Sequence, residues 1–267
     1  MQVEQDHDRP VVESVLRATR LLECFRRGEP ELTLAELVRR GGYSKTTTYR
    51  LLTTLEVAGW LERAPGGAFR LTIQPFQIGS ILLDSLELRR EAPPIMRRLS
   101  QQCGEAVYLT IPAGPCAVCV ERVDHGDGVR VMDLNVGGSQ PLNLGAAPRA
   151  LLAFNERALL PQLLRAGLEA RTPYSIATPD ALRVDLAETR RRGYSISHDD
   201  ATVGVSAIGA PVFDVHEQAV ASISVGGLSE RIIPPRTHHV AALLQAAWEI
   251  SARLGSRREQ VADAGPP

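Results

Sequence analysis

The chain has 267 residues, of which 44% are hydrophobic, and its formal net charge at pH 7 is -1. This length exceeds that of an average domain and the apolar content suffices for two cores, so the composition predicts two folded domains. No segment approaches the roughly 18 consecutive apolar residues of a membrane span, and the acidic first ten residues are unlike a signal peptide. We therefore expect a cytoplasmic protein with no membrane partner.

Two short helices are the first predicted elements. Apolar residues recur at helical spacing over residues 15–25 and again at Leu34, Leu37 and Val38. Gly41 and Gly42 follow, a pair that ends a helix and opens a tight turn. The first helix is expected to pack beneath the element that comes next.

A third helix is predicted to begin at Ser44, which suits the N-cap position. Four residues at helical spacing are expected to face the core: Thr48, Leu51, Leu52 and Leu55. The outward residues are Lys45, Thr46, Thr47, Tyr49, Arg50 and Thr53. This outer face is rich in hydroxyl and cationic groups, which contact phosphates and base edges in DNA.

Two short strands, residues 60–63 and 68–71, are predicted around the turn at residues 64–67. Together with the helices they give a helix-turn-helix followed by a two-stranded wing. Residues 9–72 hold 11 basic and 7 acidic side chains, so the positive charge is confined to this end. The DNA contacts expected are Ser44, Lys45, Thr46, Thr47, Tyr49 and Arg50 on the helix, and Arg63 and Arg70 on the wing. Double-stranded operator DNA is the partner that this pattern favours.

Residues 73–91 are predicted to form a linker helix that is apolar around much of its circumference over residues 73–88. One domain of 63 residues, 10–72, cannot cover such a surface, whereas a second copy of the chain can. A homodimer, or a tetramer of paired dimers, is the expected assembly. The alternative is that the segment packs on its own domain.

The second domain is predicted over residues 92–255, with a frayed polar tail over residues 256–267. A helix at 94–103 precedes β-rich runs at 107–111, 116–123 and 129–134. Helices follow at 148–154 and at 179–192, the latter capped by Thr178 and ended by Gly193. A hairpin of residues 206–213 and 220–226 and a closing helix complete one mixed sheet with helices.

These residues resemble the IclR (isocitrate-lyase-regulator) family of bacterial transcription factors. The resemblance rests on stretches at both ends of the chain, including SVLRA, LTLAELV, KTTTYRLLTTLEVAGWLER, FRLT, RRGY, APVFD and ASISV. It implies an α+β fold: an N-terminal winged helix-turn-helix, a linker helix, and a C-terminal GAF-like mixed α/β domain that binds an effector. It also implies a dimer that forms largely through the DNA-binding end.

By this resemblance, an effector pocket lies among the start of a helix and the ends of several strands. The residues that it implies are Leu144, Ala146, Ala147, Arg149, Ser197, Asp199, Ala207, Ser224 and Gly226. The chain departs from the family pattern at several of these positions. Pro148-Arg149 replaces a frequent Gly-Lys pair, Ala207 a cysteine, Ser197 an acidic residue and Gly226 a serine, whereas Ser224 is kept.

Replacing polar residues by Ala207 and Gly226 leaves space and removes hydrogen-bonding groups. Small carboxylates such as glyoxylate or pyruvate are held by dense sets of short polar groups and backbone N–H donors. The departures therefore favour a larger, less polar organic acid, with an aromatic acid as the hypothesis. Arg149 is a candidate partner for its carboxylate. The alternative is that the pocket binds nothing.

Positive sequence evidence for catalysis is missing. Cys116 and Cys119 have the spacing of a zinc or redox CxxC pair, but three residues apart in a strand they point to opposite faces. No serine nucleophile elbow or phosphate-binding loop occurs. We expect reduced thiols, no catalytic residue, no metal and no cofactor. The alternative function is a ligand-binding or assembly protein whose helix-turn-helix no longer reads DNA.

Overall fold

The computed structural model describes residues 11–26, 28–85, 87–126 and 135–258. Its contacts divide the chain into two compact units, Met1–Ser85 and Leu86–Pro267, here called the N-terminal and the C-terminal unit. The sequence predicted a second domain that begins at residue 92. Each unit has its own hydrophobic core, so each is described by itself.

The N-terminal unit consists of four helices and three short strands. They are α1 (Glu13–Leu22), β1 (Glu31–Leu32), α2 (Leu34–Gly41), α3 (Lys45–Val57), β2 (Leu61–Arg63), β3 (Phe69–Leu71) and α4 (Gln74–Ser85). The strands form one antiparallel sheet in the order β1-β3-β2. The sequence predicted the two wing strands, but it did not predict β1.

Local capping explains where the helices of the reading motif begin and end. The Thr33 side chain and Glu36 form a capping box at the start of α2. Gly42 ends that helix with a φ of 73°, a left-handed conformation that glycine adopts without strain. The Ser44 hydroxyl accepts a hydrogen bond from the backbone N–H of Thr47 at 3.2 Å, which confirms its predicted role as the N-cap of α3.

The core of the N-terminal unit lies between the three helices and the wing. Leu21, Leu37, Leu52, Leu61 and Phe69 are almost completely buried there. Of the four residues predicted to face the core from α3, Thr48, Leu52 and Leu55 are buried, while Leu51 is half-buried. The helical periodicity of the sequence thus oriented α3 correctly.

The two helices after the wing divide at a different place from the prediction. The sequence predicted a linker helix at residues 73–91 and a further helix from residue 94, whereas α4 ends at Ser85 and α5 spans Glu87–Cys103. Pro93 and Pro94 lie inside α5, where each lacks the N–H of an intrahelical hydrogen bond. Burial of Ala92, Ile95 and Met96 on the sheet stabilises the helix despite this loss.

The C-terminal unit contains one six-stranded sheet with helices on both faces. After α5 come β4 (Ala106–Ala113), β5 (Cys116–Val123), β6 (Ser139–Pro141), α6 (Ala146–Phe154), α7 (Glu156–Ala166), α8 (Pro179–Arg192), β7 (Ser195–His198), β8 (Val205–Phe213), β9 (Ala219–Leu228), α9 (Ser229–Ile232) and α10 (Thr237–Arg253). The predicted strand at residues 129–134 lies outside the described residues.

The strand order is β6-β5-β4-β9-β8-β7, and every recorded pair is antiparallel. The expectation of a mixed sheet is therefore wrong for the described strands. The physical reason is that β4 with β5 and β8 with β9 are hairpins, and these two hairpins join through an antiparallel pairing of β4 with β9. The predicted α+β class is unaffected.

Strand alternation assigns the two faces of this sheet to different helices. Tyr108, Ser224 and Gly209 lie side by side across β4, β9 and β8, on the face that carries α6. Their neighbours along the strands, such as Leu109 and Ile223, point to the other face, where α5 and α10 pack. The predicted closing helix is α10.

The N-terminus of α6 lies directly on the sheet. A Cβ atom on Gly209 would be 2.8 Å from the Ala146 carbonyl carbon, so only glycine permits this approach. The Ser195 hydroxyl donates to the Ala146 carbonyl oxygen at 2.5 Å, and the Ser222 hydroxyl to that of Ala147 at 2.8 Å. These contacts fix the position of the first turn of α6.

No helix in the described part of the chain is long and apolar enough to cross a bilayer. The four cysteines are free thiols, and three of them are buried. Burial raises the pKa of the Cys103 thiol to about 11 and also raises the pKa of Cys116 and Cys24. A raised pKa keeps a thiol protonated, which disfavours nucleophilic or redox chemistry.

Candidate DNA-reading surface and effector cavity

The outer face of α3 is exposed as the sequence predicted. Lys45, Thr46, Tyr49 and Arg50 are exposed, and Thr47 is half-buried. Neither Lys45 nor Arg50 takes part in a salt bridge with another described residue. The Ser44 hydroxyl is engaged with Thr47 at the helix start, so its local role is capping. The face presents two unpaired cations and several hydroxyl groups.

The two wing arginines are paired with carboxylates. Arg70 Nε lies 2.6 Å from Glu62 Oε1, and its Nη1 lies 3.8 Å from Glu31 Oε1. Arg63 pairs with Glu56 at 3.3 Å and covers the Phe69 ring. Exposed ion pairs of this kind are worth about 0–1 kcal/mol, so a phosphate can displace the carboxylate at little cost. The nearby carboxylates nevertheless lower the net positive charge of the wing.

A cavity of about 40 Å³ lies in the C-terminal unit, between the start of α6 and the sheet. Its walls come from α6, from strands β4, β6, β7, β8 and β9, and from the loop before β8. They comprise Tyr108, Gln140, Gly145, Ala146, Ala147, Pro148, Ser197, Ala201, Thr202, Val205, Ser206, Ala207, Ser224 and Gly226. Six predicted effector residues are thus brought together: Ala146, Ala147, Ser197, Ala207, Ser224 and Gly226.

The first turn of α6 gives this cavity its electrostatic character. Gly145 precedes the helix with a φ of 81° and offers no side-chain cap. The N–H groups of Ala146 and Ala147 come before the intrahelical hydrogen bonds begin, so they are available to a ligand. The positive end of the helix dipole lies at the same point. An uncapped helix start on a cavity wall is suited to an anionic group.

Tyr108 explains why the cavity is small. A Cβ atom on Gly226 would lie 3.5 Å from Tyr108 Cε2 and 3.5 Å from the Ala207 Cβ. The tyrosine ring therefore occupies much of the space that the sequence analysis attributed to Gly226 and Ala207. For comparison, a protein cavity that holds benzene measures about 150 Å³. An aromatic ligand fits here only if part of the wall moves.

Arg149 is not part of the cavity wall. Its side chain is 2% exposed and pairs with Asp200, while its Nε lies 3.0 Å from Asp185 Oδ2. Burial lowers the pKa of the Arg149 guanidinium from its ordinary value, and the Asp185 carboxylate opposes this shift. The guanidinium also donates to the Ile196 carbonyl oxygen. Its charge is paired within the protein and it does not line the cavity, so the proposed pairing of Arg149 with the effector carboxylate has no geometric support.

Leu144 and Asp199 are also absent from the cavity wall. Leu144 is completely buried. Asp199 has a φ of 57°, and its carboxylate accepts hydrogen bonds from the Gly204 N–H and the Ser229 hydroxyl. This residue therefore holds the loop at residues 199–205, whose middle contributes Ala201 and Thr202 to the wall. Asp199 can act on an effector only through this loop, and Leu144 is a core residue.

The CxxC pair has the geometry that strand alternation predicts. Cys116 and Cys119 both lie on β5, and only Cys119 is buried. Its thiol donates to the Glu121 carbonyl oxygen. No group of three or more metal-ligating side chains is found among the described residues.

Comparison with known proteins assigns this architecture. The family model "IclR helix-turn-helix domain" matches residues 14–65, and the model "Bacterial transcriptional regulator IclR C-terminal" matches residues 81–252. The chain belongs to the IclR family. The resemblance found in the sequence is thereby confirmed, as are the helix-turn-helix and the α+β class. The chain is a transcriptional regulator of a family that is not enzymatic.

Individual IclR-family proteins are similar over almost the whole chain. The transcriptional repressor IclR of Escherichia coli K12 is 32% identical over 252 residues, which is 92% of each chain. The transcriptional regulator KipR of Bacillus subtilis 168 is 31% identical over 244 residues, covering 91% of this chain and 97% of its own.

Solved structures show the same fold. An IclR-type regulator from Silicibacter sp. TM1040 gives a TM-score of 0.79 at 26% identity, with 91% of this chain and 96% of that chain covered. An IclR homologue from Microbacterium hydrocarbonoxydans, complexed with 4-hydroxybenzoate, gives a TM-score of 0.74 at 25% identity, with 90% and 98% covered.

Sequence reasoning missed Tyr108 and Gln140 as cavity residues. Tyr108 lies in an apolar strand, and its sequence context predicts an ordinary core residue. Its placement beside Ser224 depends on the register of β4 with β9, which joins residues more than 100 positions apart. Gln140 is a polar residue that is 2% exposed, but its sequence neighbours give no sign of burial.

The buried ion cluster yields a stability prediction. Arg149→Met retains most of the side-chain volume but leaves the buried Asp200 carboxylate unpaired, so the variant should lose about 3–5 kcal/mol of unfolding free energy. Urea unfolding can be followed by Trp248 fluorescence in a Trp60→Phe background, because the chain has two tryptophans and Trp248 belongs to the C-terminal unit.

The matched control is Arg183→Met on α8. Arg183 is exposed and pairs only loosely with exposed Asp180, at 3.5 Å, so its replacement should leave the unfolding curve unchanged. Equal curves for Arg149→Met and Arg183→Met would show that the buried cluster does not stabilise the C-terminal unit.

Proposed function

We propose that the protein binds operator DNA as a homodimer and is switched by a small organic acid in the cavity at α6. The observation that carries the proposal is the uncapped start of α6 on a cavity wall, in a chain whose other unit presents an exposed cationic recognition helix. Such a regulator combines sensor and DNA reader in one chain and acts in the cytoplasm, where its DNA lies. It needs no cofactor.

DNA binding is assigned first to Lys45 and Arg50. Both are exposed on α3, and neither shares its charge with a described carboxylate. Thr46, Thr47 and Tyr49 lie on the same face and add hydroxyl groups that can reach bases or phosphates. Arg63 and Arg70 make weaker phosphate contacts, because each must first leave its carboxylate partner.

The second candidate function is a ligand-binding or assembly protein that retains the helix-turn-helix only for dimerisation. The net charge of -1 over the whole chain favours it. The outer face of α3 argues against this function, because a helix that serves only dimerisation has no need of the exposed cations Lys45 and Arg50. Binding to DNA distinguishes the two functions directly.

Arg50→Ala should weaken specific DNA binding by about 1–3 kcal/mol if Arg50 reads a base. The measurement is fluorescence anisotropy of the duplex upstream of the protein's own gene, over a salt series and beside a random duplex. Because phosphate contacts release counterions, loss of a purely phosphate-binding arginine would instead reduce both affinities equally and flatten the salt dependence.

The control for this measurement is Arg157→Ala, which removes an exposed arginine of α7 in the other unit. It should bind both duplexes as the unmodified protein does. Weak, equal binding of the unmodified protein to every duplex tested, including candidate operators elsewhere, would favour the second candidate function.

Dimerisation is assigned to α4 and its surroundings. Ile81, Phe76 and Leu82 are 70%, 66% and 59% exposed, and Ile78 is 49% exposed. Four large apolar side chains on one exposed helix are unusual for a monomer and typical of a protein interface. A dimer also supplies the two recognition helices that a symmetric operator requires. The pairing of dimers into a tetramer stays an alternative assembly.

Ile81→Glu should raise the dimer dissociation constant at least about tenfold, because a carboxylate would be buried in an apolar interface. Sedimentation equilibrium measures this constant. Gln101→Glu introduces the same charge at an exposed position of α5, in the other unit, and should leave it unchanged. Identical constants for the two variants would exclude the apolar face of α4 from the interface.

The effector is assigned to the cavity as an acid whose carboxylate lies at the start of α6. The N–H groups of Ala146 and Ala147 are the donors, with the Ser224 and Ser197 hydroxyls beside them. These donors take the role of carboxylate partner that the sequence suggested for Arg149, whose charge is paired with Asp185 and Asp200. A carboxylate held by backbone donors needs no arginine.

An aromatic acid remains the proposal for its class. The Microbacterium relative that was crystallised with 4-hydroxybenzoate supports it. The cavity must then enlarge, and the loop at residues 199–205 is the part of the wall best able to move. Its middle is the part that can move: Val203 is 62% exposed, whereas hydrogen bonds to Thr172, Ser175 and Ser229 and the ion pair with Arg149 hold Asp199 and Asp200 in place.

Isothermal titration with benzoate and with glyoxylate tests the class. We expect benzoate to bind and glyoxylate to bind more weakly. Ala207→Leu fills the cavity and should abolish binding of both, whereas Val184→Leu, at an exposed position of α8 outside the cavity, should not. Binding of glyoxylate without benzoate would contradict the aromatic class, and unchanged binding in Ala207→Leu would place the site elsewhere.

Ligand binding must favour one arrangement of the paired recognition helices over another in order to act as a switch. The segment at residues 73–88 connects the two units in sequence and is proposed to carry this coupling. The direction of regulation follows from whether the acid strengthens or weakens DNA binding in the anisotropy measurement.

A further inference from the structure

Two buried side chains of the cavity wall have polar atoms without a partner. Tyr108 and Gln140 are each 2% exposed. The Tyr108 Oη and the Gln140 Oε1 have no hydrogen-bond partner in the described part of the chain. Nearly all buried polar atoms in folded proteins are paired, so two such atoms at one cavity are unusual. A ligand in the cavity can supply both partners.

These two residues frame the start of α6 from different sides. The Gln140 Oε1 lies 3.0 Å from the position that a Cβ atom would take on Gly145, the residue immediately before the helix. Tyr108 stands on β4 directly opposite Ser224 of β9, on the sheet face beneath α6. A molecule bound at the helix start therefore meets the amide of Gln140 and the side chain of Tyr108.

The unpaired atoms specify the chemistry of the missing group. An amide oxygen only accepts hydrogen bonds, so its partner must be a donor. A phenol both donates and accepts. Burial raises the pKa of Tyr108, and the Arg122 guanidinium only partly opposes this, so the phenol is protonated at neutral pH and is available as a donor. An ionised carboxylate cannot satisfy Gln140, because it carries no proton.

We infer that the effector bears a hydroxyl group in addition to its carboxylate, and that Tyr108 and Gln140 recognise this hydroxyl. The hydroxyl donates to the Gln140 Oε1 and accepts from the Tyr108 Oη, while the carboxylate lies at the start of α6. This inference rests on the proposed effector site. Tyr108 and Gln140 then determine specificity among acids of equal size.

Matched sets of acids test the inference by isothermal titration of the full chain. One set is 4-hydroxybenzoate and benzoate. The other is lactate, pyruvate and propionate, which carry a hydroxyl, a carbonyl oxygen and neither group next to a carboxylate. Because an acid without the hydroxyl leaves both protein atoms unpaired, we expect the hydroxylated member of any set that binds to bind at least about tenfold more tightly.

Tyr108→Phe and Gln140→Leu remove the two recognising groups with little change in shape. Each should reduce the preference for the hydroxylated acid at least about threefold, while leaving the affinity for benzoate or propionate unchanged or improved. Tyr194→Phe is the control: Tyr194 is half-buried outside the cavity, with Arg192 over its ring. It should keep the full preference. Unchanged thermal melting of the variants confirms that they fold.

The outcomes separate this inference from the proposed function. Equal binding of hydroxylated and plain acids, or pyruvate binding as tightly as lactate, would overturn the recognition of a hydroxyl while leaving the acid site intact. A full preference in both Tyr108→Phe and Gln140→Leu would likewise overturn it. If no acid of either set binds, the acid site itself fails, and the inference fails with it.

Discussion

The close approach of α6 to the sheet at Gly209 is the constraint on which the sensor site depends. A single Cβ atom there would meet the backbone of Ala146, and the hydroxyls of Ser195 and Ser222 fasten the first two carbonyl groups of the helix. With these carbonyl groups tied to the strands, the helix start is held rigidly at the cavity wall. Because the N–H donors of this helix start are already ordered, they bind an anion without a further loss of conformational entropy.

Charge in the C-terminal unit is arranged around that same helix. Arg149 of α6 lies outside the cavity wall and joins the loop at Asp200 to α8 at Asp185. Asp200 in turn accepts a hydrogen bond from Ser197, which lines the cavity. The ionic cluster thus connects a cavity residue with a loop and a helix behind it. Its residues act on a ligand through the position of that loop.

The structure of the N-terminal unit depends on local sequence to a much greater degree than that of the C-terminal unit. Thr33, Gly42 and Ser44 define the ends of two helices through contacts within four residues of themselves, and α3 is oriented by its own apolar periodicity. For these reasons the helix-turn-helix, its wing and its exposed face could be predicted from the sequence. The pairing of Arg63 with Glu56 and of Arg70 with Glu62 could not, because it depends on how the wing folds beside the helix.

The sequence by itself determined the helix-turn-helix and its wing, because capping and periodicity are local properties, and its motifs indicated the family. Through that resemblance it implied nine effector residues, of which six line the cavity. Tertiary structure decided the rest. In the folded chain α5 stays helical at Pro93 and Pro94, Arg149 is buried in an ion cluster, and the Tyr108 ring lies beside Gly226. Each of these outcomes depends on burial and strand register between segments far apart in the chain, which no local pattern records.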